Sequence, residues 1–243
     1  MFHINDKKSR NILVACDHGL LVVNRFDTND KSVGHGQIIL DHGNICTLEA
    51  SSCLRAIANK SDPVIFDIGS NIGAFTTWLA RARSDGKVYA FEPQRAVFYL
   101  LCANMAINNL HNVYCYNVAL GENNSKIKFT EPNYDLPADF GTFSLVNDTI
   151  NAKGESLIID MYRLDSFVEI YQIGKIDLIK VDVEGMDLTV LKGARQSIEK
   201  YRPVIFVEYC NEYGSEYEQI KSFLDRYNYQ YSFIERNILA IPN

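Results

Sequence analysis

The amino-acid sequence predicts an α/β fold on a largely parallel sheet, and three observations carry that expectation. Short apolar runs rich in Val, Ile and aromatic residues recur from about residue 62 onward: "VIFDIG", "VYAFEP", "VYCYNVAL", "IDLIKVDVEG" and "PVIFVEY". Longer stretches with helical spacing lie between them, and such alternation marks strand–helix–strand units. Of the 243 residues, 47% are hydrophobic and 22% charged, enough apolar material to fill the core of one large domain.

Taken in order, residues 1–60 read as an accessory lobe: "ILVAC", a turn at "DHG", "LLVVNRF", a second "DHG", and a helix near Cys46 to Ala58. Residues 61–243 form the main domain. After "VIFDIG", Phe75, Trp78, Leu79 and Ala82 place one apolar face on a helix, and Phe98, Leu101 and Met105 do so after "VYAFEP". "VYCYNVAL" reads as one strand, Val113 to Leu120. Residues 121–175 are longer than a crossover needs and hold "KIKF", a polar Pro-bearing stretch with Tyr134, Phe140 and Phe143, and "SLIIDMYRLDSF"; long inserts of this kind tend to carry specificity. Those three aromatics suit either stacking on an acceptor or pinning the insert to the body. A weak stripe (Leu188, Leu191, Arg195, Ile198) follows the fourth run, and a stronger one (Tyr217, Ile220, Leu224, Tyr227) follows the fifth. The end, "YQYSFIERNILAIPN", reads as an antiparallel hairpin turning at Glu235 to Asn237.

Charge and cysteine usage narrow the partners. Net charge is −6 and no long Lys/Arg cluster appears, so the electrostatic footprint of a nucleic-acid binder is missing. Six scattered cysteines never form a C-x-x-C pair, which suits reduced thiols in a cytoplasmic protein. "MFHINDKKSR" has no apolar signal core, and no apolar run approaches the ~20 residues of a membrane span. The five histidines, His3, His18, His35, His42 and His111, sit in turn-like contexts and read as turn residues rather than metal ligands or bases.

The chemistry concentrates in "FDIGSNIGAF", Phe66 to Phe75. A glycine loop between strand and helix suits an anionic or polar ligand, because the helix N-terminus offers free N–H groups and partial positive charge. No lysine and hydroxyl residue follow Gly73 in P-loop register, which excludes a nucleotide triphosphate on this loop. The spacing Gly69-x-x-x-Gly73 is not the dinucleotide G-x-G-x-x-G, and Asp67 would crowd a pyrophosphate, so NAD(P)-dependent oxidoreduction is the disfavoured alternative. A ligand with a positive centre and no phosphate welcomes that carboxylate, and S-adenosylmethionine is one. Glu92, at the end of the second run, is placed to accept from its ribose diol; Asp67, Gly69, Ser70, Asn71 and Gly73 form the loop, and Asn117 and Ala119 end the third run near the adenine position.

The run "KVDVEG" holds a second set. On an extended strand Lys180, Asp182 and Glu184 share one face, and charged residues at alternate positions of a buried strand are costly unless paired or functional. With Glu208, at the end of the next run, they form an acidic group able to position and deprotonate an acceptor hydroxyl or to bind a divalent cation. The expectation carried forward is the base role without a metal, since no Asp/Asn-rich cluster extends beyond Asp182, Glu184 and Glu208. A structural ion pair is the competing reading.

"FDIGSNIGAF", "VYAFEPQ", "NVALG", "RLDSF" and "IDLIKVDVEGMDLTVLKGA" together resemble the FkbM family of class I S-adenosylmethionine-dependent methyltransferases, over roughly residues 35 to 210. The resemblance implies a doubly wound, mostly parallel, Rossmann-like sheet of seven strands, a donor site at its switch point, and methyl transfer, usually to a hydroxyl of a sugar or natural product. Asp165 in "RLDSF" fits the family pattern and a cap role equally. Ser70 stands where the family usually has alanine, and Asp187 where it has glutamate. A noncatalytic module on the same fold is the remaining alternative.

Overall fold

The computed structural model of the chain describes residues 9–17, 19–27, 34–143, 156–209 and 216–243. His3, His18 and Cys210 lie outside them. The N-terminal hairpin expected from "ILVAC" and "LLVVNRF" forms, pairing β1 (Asn11–Cys16) with β2 (Gly19–Asn24) in antiparallel register. Helix α1 (His35–His42) ends where Gly43 of the second "DHG" takes a left-handed φ of 74°. Helix α2 (Thr47–Ala56) follows. The hairpin is fastened to the main body by two asparagines, one in the helix Arg95–Ile107 and one at its C-cap. Asn104 accepts from the Val22 N–H at 2.6 Å, and Asn108 from the Leu20 N–H at 3.0 Å, while each side-chain amide donates back to the same residue's carbonyl. Side chains thus complete the edge of β2 that, among the described residues, no strand covers. Helix α2 belongs to the main core, since Ala50, Cys53 and Ile57 pack with Ile65, Leu79 and Phe206.

The main domain runs β3 (Val64–Ile68), α3 (Ala74–Ala82), β4 (Lys87–Phe91), α4 (Arg95–Ile107), β5 (Val113–Tyr116), β6 (Ala119–Leu120), β7 (Ser125–Thr130), β8 (Ser156–Tyr162), α5 (Leu164–Ile170), β9 (Leu178–Val181), α6 (Asp187–Gly193), α7 (Arg195–Tyr201), β10 (Val204–Glu208), α8 (Glu216–Arg226), β11 (Tyr229–Ile234) and β12 (Asn237–Pro242). Seven of these strands make one sheet in the order β11-β12-β10-β9-β3-β4-β5, parallel from β10 to β5 and closed by the expected C-terminal antiparallel hairpin. The strand order reverses between β3 and β9, so both runs that hold the candidate residues end at the switch point, where open α/β sheets bind ligands.

Strand periodicity divides β3 between two cores. Val64, Phe66 and Ile68 pack with Phe167, Leu191 and Leu224 on the face covered by α5 to α8. Ile65 packs with α2 and α3 on the other. Among the described residues no helix is long and apolar enough to cross a membrane, and five cysteines are free thiols.

Two readings need correction. The run Val113 to Leu120 is not one strand: after Tyr116 the Asn117 amide donates to the carbonyls of Glu92 (2.8 Å) and Pro93 (2.9 Å), which turns the chain back, and Ala119–Leu120 joins β8 and β7 in a separate three-stranded sheet. The stripe Leu188 to Ile198 belongs to two short helices broken at Ala194. Asp165 caps the second from outside, accepting from the Ser197 N–H at 2.8 Å and the Gln196 N–H at 3.1 Å.

Candidate active site

Above the switch point lies a cavity of about 250 Å³. Its floor is the ends of β3, β4, β9 and β10, one wall is the start of α1, and another is residues Asp139 to Phe143 of the insert. Its lining includes Glu92 with the apolar Phe91, Val118 and Ala119, and also Asp182, Glu184 and Glu208, whose carboxylates cluster with Arg236 3.9 Å from Glu208.

Glu92 follows the last residue of β4 and enters the cavity wall. It is buried, its Oε2 accepts the Asn71 N–H at 3.0 Å and its Oε1 the Gln94 N–H at 2.8 Å, and it lines the cavity. Burial pushes its pKa up to about 7 against the pull of those two N–H groups. A carboxylate held by backbone on one side and open to the cavity on the other suits a vicinal diol, which donates two hydrogen bonds. Gly69, Asn71 and Ala119 line the same cavity.

Four other predicted donor residues stand behind this wall rather than in it. Asp67, expected to face a ligand's positive centre, is fully buried, with Lys180 Nζ at 3.2 Å and the Thr76 hydroxyl donating to it at 2.5 Å. The sheet register explains this: Asp67 of β3 is paired with Lys180 of β9, on the face that α3 covers. Ser70 knits the loop to β4, donating to the Asp67 carbonyl at 2.7 Å and accepting the Phe91 N–H at 3.0 Å. Asn117 makes the turn already described. Gly73 faces α4, not the cavity; a Cβ there would meet Leu101 at 2.6 Å and Met105 at 2.8 Å, at a φ of 85°.

The acidic group assembles, though not by the pleat. Strand β9 stops at Val181, and Glu184 and Gly185 both take left-handed φ, 51° and 90°, which turns the chain so that Glu184 faces the cavity. Asp187 holds this turn from the start of α6, accepting from the Val183 N–H at 3.1 Å and the Gly185 N–H at 3.3 Å. Lys180 is not in the cavity. It is buried beneath the glycine loop, donating to the Gly69 carbonyl at 2.8 Å and reaching Asp182 at 3.4 Å. Gly69 sits so close to the end of β9 that a Cβ would lie 1.8 Å from the Asp182 carbonyl oxygen.

Asp182, Glu184 and Glu208 bring carboxylate oxygens within 4.8 Å of one another. Burial would raise Asp182, but the charges of Lys180 and His35 and a hydrogen bond from Glu208 bring it below its ordinary value. Glu184 is pushed up to about 8 by burial and by the charges of Asp182, Asp187 and Asp139. Glu208 rises to about 9 through burial and the charges of Asp182 and Glu184. One ionised carboxylate thus stands beside two that hold protons at neutral pH, a division of acid and base within one site.

The cavity also holds residues that sequence reasoning missed. His35 lies 3.3 Å from the Asn71 amide through Nδ1, where a turn role had been expected. Asp139 and Arg236 enter from the insert and the C-terminal hairpin, and nothing local in sequence marks either. Phe140 and Phe143 both line the cavity; Phe140, with Tyr134, packs against Ile72 and Val97 and so anchors the insert, whereas Phe143 meets Phe129 within the insert itself.

Comparison with known proteins follows the same lines. Residues 67–231 match the methyltransferase FkbM domain. The chain is 28% identical over 204 residues to Methyltransferase 1 of Beauveria bassiana, covering 79% of this chain and 81% of that protein. It is 26% identical over 175 residues to the 2-O-methyltransferase NoeI of Sinorhizobium fredii, covering 68% and 71%. In fold it is similar to the crystal structure of Methyltransferase FkbM from Methylobacillus flagellatus, with a TM-score of 0.54 and 19% identity, over 74% of this chain and 43% of that one.

Proposed function

The chain belongs to the methyltransferase FkbM domain family and is a methyltransferase; from that premise we propose that it uses S-adenosylmethionine to methylate a hydroxyl group of a sugar, glycan or other small natural product. The observation that carries this reading is one cavity lined both by the buried carboxylate Glu92, which suits a diol, and by the unequal acids Asp182, Glu184 and Glu208. The Sinorhizobium relative being a 2-O-methyltransferase supports oxygen as the atom methylated.

Glu92 would take the ribose hydroxyls, the backbone of Gly69 to Asn71 the amino-acid part, and Phe91, Val118 and Ala119 the flat base. When bound, the donor supplies an electrophilic methyl group on a positively charged sulfur. An aliphatic hydroxyl is a weak nucleophile, so the protein's share is to orient it and remove its proton. Asp182 is fixed by Lys180, and its low pKa makes it a poor base but a good orienting acceptor. Glu184, raised to about 8, is the better proton acceptor once ionised. Proton sharing between Glu208 and Asp182 relieves the crowding of negative charge without a metal ion.

A thermal-shift panel tests the donor. S-adenosylhomocysteine is expected to raise the melting temperature and NAD is not; at ~100-fold over the dissociation constant, binding to the native state alone adds ~2.7 kcal/mol. Stabilisation by NAD alone would make the protein an oxidoreductase candidate. Mass-spectrometric detection of a 14-dalton gain on a panel of neutral glycosides tests the transfer, about one CH₂, and donor binding without any transfer would point to a noncatalytic module.

A further inference from the structure

We propose that Asp27, which lies outside the residues matched to the methyltransferase domain, is a positioning residue for methyl transfer: it ties the start of α1 and the insert into one wall and sets that wall against Glu92. The proposal rests on the donor reading of the Glu92 end. Asp27 is 2% exposed and touches neither end of the cavity itself. Its Oδ2 accepts the Gly36 N–H at 2.7 Å and its Oδ1 the Phe140 N–H at 3.0 Å, so one carboxylate holds two segments more than a hundred positions apart in sequence.

Those bonds belong to a closed ring. Gln94 donates to the Phe140 carbonyl at 2.9 Å, and its own N–H bonds Glu92 Oε1. Glu92 Oε2 accepts from Asn71, whose side-chain amide meets His35, the residue before Gly36. Three parts of the chain are linked in this way: the N-terminal segment, the glycine loop with the end of β4, and the insert. A second tie runs alongside, since the Ala138 N–H donates to the Phe26 carbonyl at 2.9 Å and Asn24 donates to the Tyr134 carbonyl at 2.9 Å. The wall that carries His35 and Phe140 is therefore registered on the same carboxylate, Glu92, that is assigned to the donor. The motif Gly34-His35-Gly36 follows from Asp27 as well: a Cβ on Gly34 would lie 2.2 Å from Asp27 Oδ1, although the backbone there, φ −70°, would suit any residue.

The experiment uses the full chain, hydrogen exchange and calorimetric titration with S-adenosylhomocysteine at 25 °C. In Asp27→Asn one of the two N–H groups loses its acceptor. Exchange in peptides holding Gly36 and Phe140 is expected to quicken about tenfold or more, in keeping with loss of a charge-assisted hydrogen bond, while peptides from β3, β4, β9 and β10 keep wild-type rates. Affinity for S-adenosylhomocysteine is expected to fall roughly five- to tenfold, a change that a merely structural residue would not cause well below the melting temperature. Gly34→Ala, which displaces the same carboxylate, should reproduce both effects and serves where Asp27→Asn does not fold. Unchanged affinity overturns the proposal, with or without local opening, and so does exchange that quickens evenly through the sheet. Failure of the wild type itself to bind would instead remove the donor reading, and the positioning role with it.

Discussion

Two groups of charge meet where β3, β9 and β10 lie side by side, and their settings are opposite. Asp67 and Lys180 meet across the β3–β9 register beneath α3, shut away from solvent, and their charges match. Asp182, Glu184 and Glu208 stand at and beyond the ends of β9 and β10, half-buried, and their charges do not match. The first group is a pillar: Lys180 holds the Gly69 carbonyl and one oxygen of Asp182 in place. The second is the group proposed to handle the acceptor, and its surplus negative charge, together with burial, lifts the pKa values of Glu184 and Glu208. The difference shows that a charged residue in an apolar run is assigned its work by where the strand ends, since inside the pleat it must be paired and beyond it the charge can be left unbalanced.

The contrast can be broken most severely at the pillar. Lys180→Met leaves Asp67 as a buried uncompensated charge, and removing one partner of such a pair costs about 3–5 kcal/mol. A fall in melting temperature of roughly 10 °C is expected by calorimetry for a domain of this size. A fall under about 2 °C would show that the pair is not a support.

At the acidic group the effect should be on rate and not on folding. With an acceptor that the wild type methylates, Glu184→Gln is expected to lose ~100- to 10,000-fold in turnover while melting within a few degrees of wild type. Activity should be indifferent to a chelator; loss that Mg²⁺ restores would turn the carboxylates into cation ligands instead. Turnover should rise with pH through about 8, as Glu184 ionises, and a rate falling over that range would contradict the base role.

How far the sequence announced this contrast depends on the residue. The rhythm of apolar runs and helical stripes was enough for the parallel sheet and its terminal hairpin, because period-2 and period-3.6 patterns are properties of local segments. Glu92 was legible because a strand end before a proline has few places to point. Lys180, Asp182 and Glu184 looked alike because alternation was extended past Val181, and the left-handed turn at Glu184 left no trace in residue type. His35, Asp139 and Arg236 were out of reach for another reason: they enter the cavity through contacts between distant segments, which no window of sequence contains.

Smaller effects sharpen the comparison. Glu184 and Glu208 hold protons that the unfolded chain, with an ordinary value near 4.5, gives up. Their contribution to stability is therefore complete below about pH 4.5 and is lost as the pH rises toward 8 and 9, at no more than about 1.4 kcal/mol per pH unit for each. Denaturation midpoints between pH 6 and 9 should fall in the wild type and fall less in Glu208→Gln; equal slopes would remove the shift. Ser70→Ala, which strands the Phe91 N–H behind the glycine loop, is expected to cost about 1–2 kcal/mol in urea denaturation, and a neutral result would mean that the loop is held without the Ser70 hydroxyl.

The claim that joins these points is that the cavity has a donor end at Glu92 and an acceptor end at the acidic group, and calorimetric titration of S-adenosylhomocysteine into three proteins tests it most directly. Binding to the wild type is expected, with affinity ~10- to 100-fold weaker in Glu92→Ala through the loss of hydrogen bonds to a charged acceptor, and affinity within about threefold of wild type in Glu184→Gln. Equal affinities in the wild type and Glu92→Ala, or a loss confined to Glu184→Gln, would contradict it.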